Sequence, residues 1–424
     1  MQTSKPQTTK LSTPDHSFDV VIVGGGMVGA SLSLLLDPFM KKGLTVALVD
    51  AHEISSQTIS QLEMQQPSFD DRSTAISLGS KRILSDLGVW SKMKNASTVI
   101  DHIQVSQQKQ FGRVRLHAQD ANVEALGFVV ENKSIGVGLQ TGLLKQKRLS
   151  IFSAVNVIDY KLADNAANIS IQSKDSDDMI LIEADLLVLA DGASSEGCRQ
   201  LGIPQSRFEY EQNAIVCNVS FDRPHEQWAY ERFTQDGPLA LLPVNTNQYA
   251  LVWCMGSQQS EQRMAFTDAQ FKSELQALVS FDKGRITQVG KKSTYPLALV
   301  QSDEQVRRHV VVLGNAAHAL HPVAGQGFNL ALRDAKALAN AISKQLDSPG
   351  ELTGLLEYQK NQTADQALTT KISHSLPIKF GEPGLRWSLL RGVAMTAMDI
   401  IPTSKQLFAN QAMGLVGKAS EWRP

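Results

Sequence analysis

The stretch from residue 310 to residue 334, VVVLGNAAHALHPVAGQGFNLALRD, constrains the fold more than any other part of the chain. It opens with Val310 to Leu313, a short β-branched run that is typical of a buried parallel strand. Gly314 ends the run, and the loop after it contains a proline and two glycines that leave the backbone open to close approach. From Phe328 onward, apolar residues recur at helical spacing. The pattern predicts a strand, a glycine loop and a helix whose first N–H groups attract negative charge.

A similar unit is predicted near the start of the chain. Residues 18–23, FDVVIV, read as a buried strand, and a helical run follows the turn. The turn has GxGxxG spacing and would place a pyrophosphate on the helix N-terminus; its residues are Gly24, Gly26, Met27 and Gly29. A second strand, residues 44–49, ends at Asp50, where a carboxylate can bind a ribose hydroxyl pair. The alternative is a purely structural glycine turn, and the motif does not distinguish FAD from NAD.

Two further positions belong to the same predicted site. Residues 186–190, LLVLA, form a buried strand that leads into an Asp-Gly turn beginning at Asp191. Arg72 follows the second strand, where a guanidinium would offset the charge of a pyrophosphate. The alternative for this arginine is a local ion pair with Asp70 or Asp71.

The loop after the 310–313 strand resembles the second FAD-binding motif of the single-component aromatic flavin hydroxylases. The matching residues are Gly314, Asn315, His318, Pro322, Gly325, Gln326, Gly327, Asn329 and Asp334. Asn315 stands where that family usually has an aspartate that hydrogen-bonds the ribityl chain, and an amide keeps this capacity without the charge. The turn at Asp191 resembles the family's Asp-Gly motif, which serves FAD and NAD(P)H together; the arginine often found there is Cys198 here, with Arg199 one place later.

The resemblance implies FAD as the cofactor and NAD(P)H as a co-substrate. It implies that the FAD is held by Gly24, Gly26, Met27, Gly29, Asp50, Arg72, Asp191, Gly314, Asn315, Pro322, Gly325, Gly327, Phe328 and Asn329.

Three phrases resemble the ubiquinone-biosynthesis branch of these hydroxylases, and within it the 2-polyprenyl-6-methoxyphenol hydroxylases: ERFTQDGPLALLP, LVWC and YPLAL. The resemblance covers about residues 18–417 and implies hydroxylation of the aromatic ring of a polyprenylated phenol with NAD(P)H and dioxygen. Two alternatives stay open. One is another FAD enzyme, such as a prenyl-chain reductase, and the other is a non-catalytic flavin-binding subunit of a lipid-biosynthetic complex.

The side chains themselves indicate no nucleophile, since no Ser-His-Asp order, zinc spacing or paired-carboxylate motif stands out. His318 and His321, three positions apart and without a third ligand, are a poor metal site, so we expect no metal. As in related hydroxylases, the carbonyl of Pro322 or of its neighbour would contact the phenol, and His321 would assist its deprotonation; structural roles explain both residues equally well.

The predicted fold is α/β. It consists of a Rossmann-like FAD-binding domain (18–98, 132–205 and 300–360) and an inserted antiparallel β-sheet substrate domain (99–131 and 206–299), as in p-hydroxybenzoate hydroxylase. Residues 1–17 are predicted to be a disordered tail and 361–424 to be C-terminal helices. An apolar stripe there includes Val393 and Ile401, with Arg386, Trp387, Arg391 and Trp422 nearby. Packing on the body or on a dimer mate, and contact with a membrane or a partner complex, both stay open.

Overall charge excludes some partners. Lys and Arg total 41 against 42 Asp and Glu, so nothing suggests nucleic acid. The three cysteines are widely spaced and are expected to be core thiols in a reducing cytoplasm. No apolar run is long enough to span a bilayer, so the expected location is cytoplasmic, with a peripheral position at the inner membrane as an option. Other ubiquinone-biosynthesis proteins are candidate partners.

Overall fold

The computed structural model describes residues 13–60, 66–174, 176–280, 283–381 and 385–415. The predicted disordered tail falls mainly on residues 1–12, which lie outside this part. The predicted interfacial side chains of Arg386, Trp387, Arg391 and Trp422 lie outside it as well. The first strand begins at His16, slightly before the predicted end of the tail.

The strands of the described part are, in chain order, β1 (His16–Val23), β2 (Val46–Val49), β3 (Ser73–Ser77), β4 (Ser97–Ile100), β5 (His102–Gln107), β6 (Arg113–His117), β7 (Gly127–Glu131), β8 (Leu149–Phe152), β9 (Val155–Leu162), β10 (Ala167–Ser173), β11 (Met179–Leu189), β12 (Gln205–Phe221), β13 (Trp228–Phe233), β14 (Pro238–Val244), β15 (Gln248–Gly256), β16 (Ile286–Val289), β17 (Ser293–Ser302), β18 (Val306–Arg307), β19 (Val310–Val312) and β20 (His318–Ala319).

The helices are α1 (Met27–Leu35), α2 (Asp37–Met40), α3 (Ser56–Ser60), α4 (Leu78–Asp86), α5 (Trp90–Met93), α6 (Asn132–Lys145), α7 (Glu196–Gln200), α8 (Ser257–Met264), α9 (Asp268–Val279), α10 (Gln326–Ser343), α11 (Leu352–Gly381), α12 (Leu385–Ile400) and α13 (Pro402–Ala412).

The first sheet is parallel at its centre and positions the predicted motifs. Its main path is β18-β19-β11-β1-β2-β8, and β1 pairs in parallel with both β11 and β2. The carboxyl-terminal halves of these central strands are apolar because both faces are covered there, and Val20, Val21 and Ile22 of β1 are completely buried. Since the carboxyl ends of parallel strands meet at one edge, the loops after β1, β2, β11 and β19 come together there.

One strand of this sheet has two roles. The prediction separated a hairpin ending at Glu183 from a strand beginning at Leu186, but β11 runs without a break through both. Its first half pairs antiparallel with β10 and its second half pairs in parallel with β19, while β1 borders much of its length. The separation was wrong because a continuous strand can change partners while its backbone stays extended.

The second sheet is the predicted antiparallel sheet. Its path is β20-β17-β12-β15-β14-β13-β5-β6, with β16 beside β12. The pair β13 and β5 is parallel, whereas the other pairs are antiparallel. The segment YPLAL lies within β17, which pairs along β12 and so belongs to this sheet.

The segment 99–131 is divided between two sheets. Strands β5 and β6 join the antiparallel sheet as a hairpin, whereas β7 pairs with β3 on one side and with β4 on the other in a separate three-stranded sheet. Alternating hydrophobicity identifies strands but does not identify their partners. The α/β class with an antiparallel sheet is confirmed, and the division of the chain into domains stays a prediction.

The C-terminal helices begin before residue 361, where the prediction placed their start. Helix α11 runs from Leu352 to Gly381 and includes Pro377. The ring of Phe380 stacks on Phe233 at 4.0 Å between centroids, and such packing offsets the backbone hydrogen bond that a proline removes.

In the following helix, α12, Met395 is buried, whereas Val393 and Ile401 of the predicted stripe are exposed. The helix is therefore apolar on two sides. Within the described ranges, no helix combines the length and the hydropathy that crossing a bilayer requires.

Candidate functional site

A groove of about 570 Å³ lies at the carboxyl edge of the parallel sheet. Eight of the predicted cofactor residues line it: Gly24, Gly26, Met27, Asp50, Arg72, Asp191, Asn315 and Phe328. They come from the loops after β1, β2, β11 and β19 and from the start of α10. The structure thus brings together residues that are up to three hundred positions apart in the sequence, as the edge of a parallel sheet requires.

Glycines make the floor of this groove possible. Gly24 has φ +105°, a conformation that other residues rarely adopt. A Cβ atom on Gly29 would lie 1.8 Å from the carbonyl oxygen of Gly24, so α1 packs directly on the turn. A Cβ on Gly26 would lie 3.0 Å from Oγ of Ser68. These contacts leave the groove side of the turn as bare backbone, which suits a pyrophosphate at the start of α1.

Asp50 is buried in the wall of the groove. Its Oδ2 accepts hydrogen bonds from N of Gly25 at 2.5 Å and from Nε2 of Gln66, and its Oδ1 accepts one from N of His52 at 2.6 Å. Nδ1 of His52 also lies 3.2 Å from Oδ1. A carboxylate has about four acceptor sites, and the three N–H groups use three of them, so a ribose hydroxyl would compete with the His52 ring for the fourth. The ribose contact itself stays a prediction.

The predicted site did not include Gln66 and Ser68, although both line the groove. They belong to the Ser- and Gln-rich loop after β2. The signal that could have identified them is the position of this loop next to the ribose end of the site, because side chains that can both donate and accept suit sugar hydroxyls.

Arg72 forms the predicted local ion pair and also lines the groove, while its contact with a pyrophosphate stays a prediction. Its Nε donates to Oδ2 of Asp70 at 2.5 Å, which is the local ion pair that we considered. Its guanidinium also lies over the ring of Tyr295, 4.6 Å from the centroid, and the residue lines the groove. Held on two sides, the guanidinium is oriented before any anion binds, and pre-organisation of this kind lowers the entropic cost of binding.

The fit to FAD can be tested on buried polar atoms that have no partner. Oδ2 of Asp191 accepts from N of Gly197 at 3.2 Å, whereas Oδ1 has no hydrogen-bond partner among the described residues. Burial raises the pKa of Asp191. Oγ of Ser68 likewise lacks a partner in the described part. Because buried polar atoms are normally satisfied, two such atoms in a groove lined by glycines fit a ligand rich in hydroxyl groups.

Arg199 lies elsewhere. It pairs with Glu196 on the surface, through Nε and Oε2 at 2.8 Å. Cys198 is buried beside it, and burial raises the pKa of this thiol. All three cysteines are free and buried, as expected for core thiols.

The loop between β19 and α10 separates the groove from a second cavity. Asn315 and Phe328 line the groove, whereas Pro322, Gly325 and Gln326 line a cavity of about 400 Å³ on the other side. Gly314 and Gly325 have φ of +67° and +58°, so the loop depends on glycine at both bends. One loop therefore contacts both spaces.

The second cavity is apolar and has four walls. The antiparallel sheet contributes one wall, the three-stranded sheet of β3, β7 and β4 the second, the Pro322 loop the third, and helices α11 to α13 the fourth. The helical wall consists mainly of large flexible side chains: Ile372, Leu376, Phe380, Met395, Met398 and Phe408. Its volume is within the range of about 300–1,000 Å³ that is usual for small-molecule pockets. The C-terminal helices are thus part of a binding site, a role that the sequence did not indicate.

Asn329, a predicted cofactor residue, has its amide engaged elsewhere. Its Nδ2 donates to the carbonyl oxygens of Ala75 and Gly325, both at 2.8 Å, and its Oδ1 accepts from N of Ser77 at 2.9 Å. Both amide hydrogens are used by the backbone. The geometry makes Asn329 a positioning residue that ties β3 to the loop, and direct contact with a cofactor stays a prediction.

His321 and Pro322 were the candidates for catalysis. Pro322 lines the apolar cavity, whereas His321 is not among the described residues of its wall. The His321 ring is buried against Tyr210, with 5.0 Å between centroids, and its Nδ1 accepts from N of Val323 at 3.2 Å. Burial, together with the charge of His374, lowers the pKa of His321 to about 4. A neutral imidazole away from the cavity is a weak base, so the geometry favours a structural role for it.

The two carbonyls proposed for the phenol already have a partner each. The carbonyl of His321 accepts from Oγ of Ser373 at 2.9 Å, and that of Pro322 accepts from N of Gly325 at 3.0 Å. A carbonyl oxygen has two lone pairs. Pro322 therefore keeps one acceptor site for a ligand, and its contact with the phenol remains a hypothesis.

A buried ionisable pair lies behind the loop. Nε2 of His318 is 2.8 Å from Oδ2 of Asp334, although the angles are not those of a hydrogen bond. Gln362 donates to Oδ1 of Asp334 at 2.7 Å. Burial raises the pKa of Asp334 to about 7 and lowers the pKa of His318 to about 4. Desolvation dominates both shifts because neither side chain reaches solvent.

We expect Asp334→Asn to make stability less dependent on pH. The pKa of the folded carboxyl, about 7, exceeds its ordinary value of 3.8. Its stabilising contribution is therefore complete below pH 4 and is lost as the pH rises to about 7, by up to about 1.4 kcal/mol per pH unit. The asparagine variant lacks this loss, so its free energy of unfolding should exceed that of the wild type increasingly from pH 5 to pH 8 in urea titrations. An unchanged difference across this range would contradict the assignment.

The chain is similar to known proteins along most of its length. Residues 17–371 match the family described as FAD binding domain. The ubiquinone hydroxylase UbiL of Rhodospirillum rubrum is 30% identical over 408 residues, covering 94% of this chain and 90% of the relative. The 3-demethoxyubiquinol 3-hydroxylase of Escherichia coli is 26% identical and covers 94% and 98% of the two chains.

Among solved structures, p-nitrophenol 4-monooxygenase PnpA of Pseudomonas putida has a TM-score of 0.75 at 16% identity and covers 95% of this chain and 99% of its own. Likeness at that identity shows the fold, which is the predicted one of p-hydroxybenzoate hydroxylase type. The family match and the relative at 30% identity go further. On that basis the chain belongs to the FAD-binding domain family and, within it, to the ubiquinone-biosynthesis branch of flavin hydroxylases that the phrases ERFTQDGPLALLP, LVWC and YPLAL predicted.

Proposed function

We propose that the protein is a single-component FAD monooxygenase that hydroxylates the aromatic ring of a polyprenylated phenol, with NAD(P)H and dioxygen as co-substrates, in ubiquinone biosynthesis. The observation that carries the proposal is the loop from Gly314 to Phe328, which borders the cofactor groove on one side and an apolar cavity on the other. A ring in the cavity would lie next to a flavin in the groove. The relatives named ubiquinone hydroxylase and 3-demethoxyubiquinol 3-hydroxylase support a substrate of ubiquinone biosynthesis. The phrases ERFTQDGPLALLP, LVWC and YPLAL make the 2-polyprenyl-6-methoxyphenol class the first candidate.

Different residues of the chain bind the cofactor, stabilise its negative charge and exclude water from the substrate. The Gly24 turn, Asp50, Arg72 and Asp191 hold the cofactor. FAD supplies the redox chemistry that protein side chains lack. The first N–H groups of α10, at Gly327 and Phe328, are unpaired helix ends next to the groove, where they stabilise negative charge. The apolar cavity keeps water away from the reacting ring.

Two alternatives predict different observations. A prenyl-chain reductase would consume NAD(P)H without requiring dioxygen. A non-catalytic subunit would bind FAD and respond to no phenol, and Asn315 in the place of the usual aspartate was the reason to consider it. Against this reading, the cavity is enclosed, apolar and adjacent to the groove, as a substrate site requires.

The experiment measures the flavin spectrum of the purified protein, and then NAD(P)H oxidation and dioxygen uptake with and without a short-chain 2-prenyl-6-methoxyphenol. We expect bound FAD, stimulation of both rates by the phenol, and a product one oxygen heavier by mass spectrometry. Consumption of NAD(P)H without dioxygen would favour the reductase. Bound FAD with no response to the phenol would favour the non-catalytic subunit.

We further propose a peripheral contact with membranes through the outer side of the C-terminal helices. The C-terminal segment exposes Val393, Ile400, Ile401 and Leu407, and the tip of the β5–β6 hairpin exposes Phe111; these five residues are the proposed patch. A Cβ on Gly392 would lie 2.9 Å from Cζ of Phe111, so the hairpin tip and α12 are adjacent. Exposed Lys109 and Arg113 lie on the same hairpin. An apolar surface with a cationic rim suits anionic lipid headgroups, and the same helices line the cavity for a prenyl chain.

We expect the double substitution Ile400→Glu and Leu407→Glu to reduce membrane binding at least about fivefold, because charges replace side chains that are 71% and 67% exposed. Flotation with vesicles of phosphatidylcholine and phosphatidylglycerol measures the effect. Met179→Glu is the control, since Met179 is also a large apolar residue, 57% exposed, but lies on β11, remote in sequence from the patch. Equal flotation of the double variant and the wild type would refute the contact.

A further inference from the structure

The wall of the apolar cavity carries one carboxylate among the described residues, that of Glu231. It lies on β13, one of the central strands of the antiparallel sheet. Its neighbours on the same face of the strand are Ala229 and Phe233, since side chains alternate along a strand. Both neighbours also line the cavity. The carboxylate therefore faces the proposed substrate, opposite the Pro322 loop and the C-terminal helices.

The strand register defines the position of Glu231 more closely. Glu231 pairs with Val105 of β5 on one side and with Ala240 of β14 on the other, and Ala240 pairs with Val252 of β15. All four residues line the cavity. They form a row across the sheet in which three side chains are small and apolar and one is acidic. The small side chains beside Glu231 leave room in the cavity for a ligand, and Glu231 is the acidic side chain of the row.

We infer that Glu231 accepts the hydrogen bond of the substrate's phenolic O–H and so orients the ring in the cavity. The inference rests on the proposed function for the identity of the ligand. A carboxylate on an apolar wall is costly unless donors reach it. It can accept several hydrogen bonds at once, so a protein partner does not prevent it from accepting one from a ligand.

The contact would determine which way the substrate lies. The prenyl chain has no polar atom and can occupy any apolar part of the cavity, including the flexible wall of methionines on α12. A phenol has one donor, and the wall offers one carboxylate. Their pairing fixes the ring relative to the loop that borders the groove, and the position of the ring decides which carbon faces the flavin. Glu231 thus becomes a determinant of both affinity and ring orientation.

The assignment is tested by measuring the binding of two ligands, with and without the phenolic O–H, to proteins with and without the Glu231 carboxylate. The ligands are a short-chain 2-prenyl-6-methoxyphenol and its methyl ether, which lacks the O–H. The proteins are the wild type, Glu231→Leu and Glu231→Gln, each in the FAD-loaded form, and the change in flavin absorbance reports binding. In the wild type we expect the phenol to bind roughly ten- to a hundredfold more tightly than the ether, as for a hydrogen bond to a charged group.

In Glu231→Leu the preference for the phenol should fall to near one, and in Glu231→Gln it should be intermediate because the amide oxygen still accepts. Glu209→Gln is the control for removal of one charge, since Glu209 lies on the same sheet but outside the cavity wall. If Glu231→Leu does not fold, Glu231→Gln alone decides the matter through its lower preference. An unchanged preference in the variants, or no preference in the wild type, overturns the assignment.

The proposed function fails by a separate observation, which is the absence of a hydroxylated product from a phenol that the wild type does bind. In that case the ratio between the dissociation constants of the methyl ether and the phenol still tests whether Glu231 accepts the hydrogen bond. A wild type that binds neither ligand would overturn both proposals.

Discussion

Gly29→Ala is expected to abolish flavin binding and to lower the free energy of unfolding by at least about 3 kcal/mol, at the upper end of the effects of overpacking. The added Cβ would lie 1.8 Å from the carbonyl oxygen of Gly24. A carbonyl in this turn cannot move aside, because N of Gly24 donates to the carbonyl of Val49 at 2.8 Å and holds the turn on the sheet. Helix α1 would have to separate from β1, and this would displace the helix N-terminus that faces the groove.

Gly327→Ala is the control for stability alone, because Gly327 is itself a predicted cofactor residue. Gly327 lies in the first turn of α10, and a Cβ there meets nothing within 4 Å. We expect this variant to keep the wild-type stability, measured by urea unfolding, while its FAD affinity, measured by flavin fluorescence, falls if the cofactor approaches the helix end. Normal FAD content in Gly29→Ala would show that the turn tolerates a side chain and that the groove is not built on it.

Much of the cofactor groove could be predicted because each of its motifs follows a buried strand. Gly24, Asp50, Asp191 and Gly314 come directly or almost directly after β1, β2, β11 and β19, and parallel strands end at one edge. This inference needs only the order of motifs and strands. It does not depend on any side-chain conformation, so it holds although the predicted and observed ends of the strands differ.

The contacts of individual side chains could not be predicted in the same way. Asn329 follows the glycines of the loop, yet its amide binds backbone groups of Ala75 and Ser77, which are some 250 positions earlier in the chain. His321 lies next to Pro322, yet its ring turns towards Tyr210 and away from the described cavity wall. Adjacent residues in an irregular loop point in directions that sequence periodicity does not encode.

The C-terminal helices show a different limit. Helix α12 has apolar residues on two sides, with Met395 and Met398 towards the cavity and Val393 and Ile400 exposed. A hydrophobic stripe indicates one buried face when the opposite face is polar. Where both faces are apolar, the sequence does not tell which of them is buried, and only the position of the sheet and of α11 decides.

Ala240→Phe is expected to weaken binding of the prenylated phenol at least about a hundredfold while leaving FAD in place. Ala240 is the small member of the cross-strand row beside Glu231, and its side chain borders the cavity of about 400 Å³. A phenyl group in this position occupies space that the ring or the first part of the prenyl chain needs, and interiors are too tightly packed to accommodate both. The cofactor groove lies on the other side of the Pro322 loop and does not include Ala240.

The variant should retain the wild-type flavin spectrum and a basal NAD(P)H oxidation rate, because both depend on the groove. The phenol should no longer stimulate NAD(P)H oxidation, and its dissociation constant, from flavin absorbance, should rise. Ala298→Phe is the control, since Ala298 lies on β17 of the same sheet but outside the cavity wall. Undiminished binding in Ala240→Phe would show that the phenol occupies another site, whereas loss of FAD together with the phenol would show that the two spaces are not independent. We expect loss of phenol binding without loss of FAD because a loop separates the apolar cavity from the cofactor groove. The bends of this loop at Gly314 and Gly325 are set by backbone conformation and not by the side chain of residue 240.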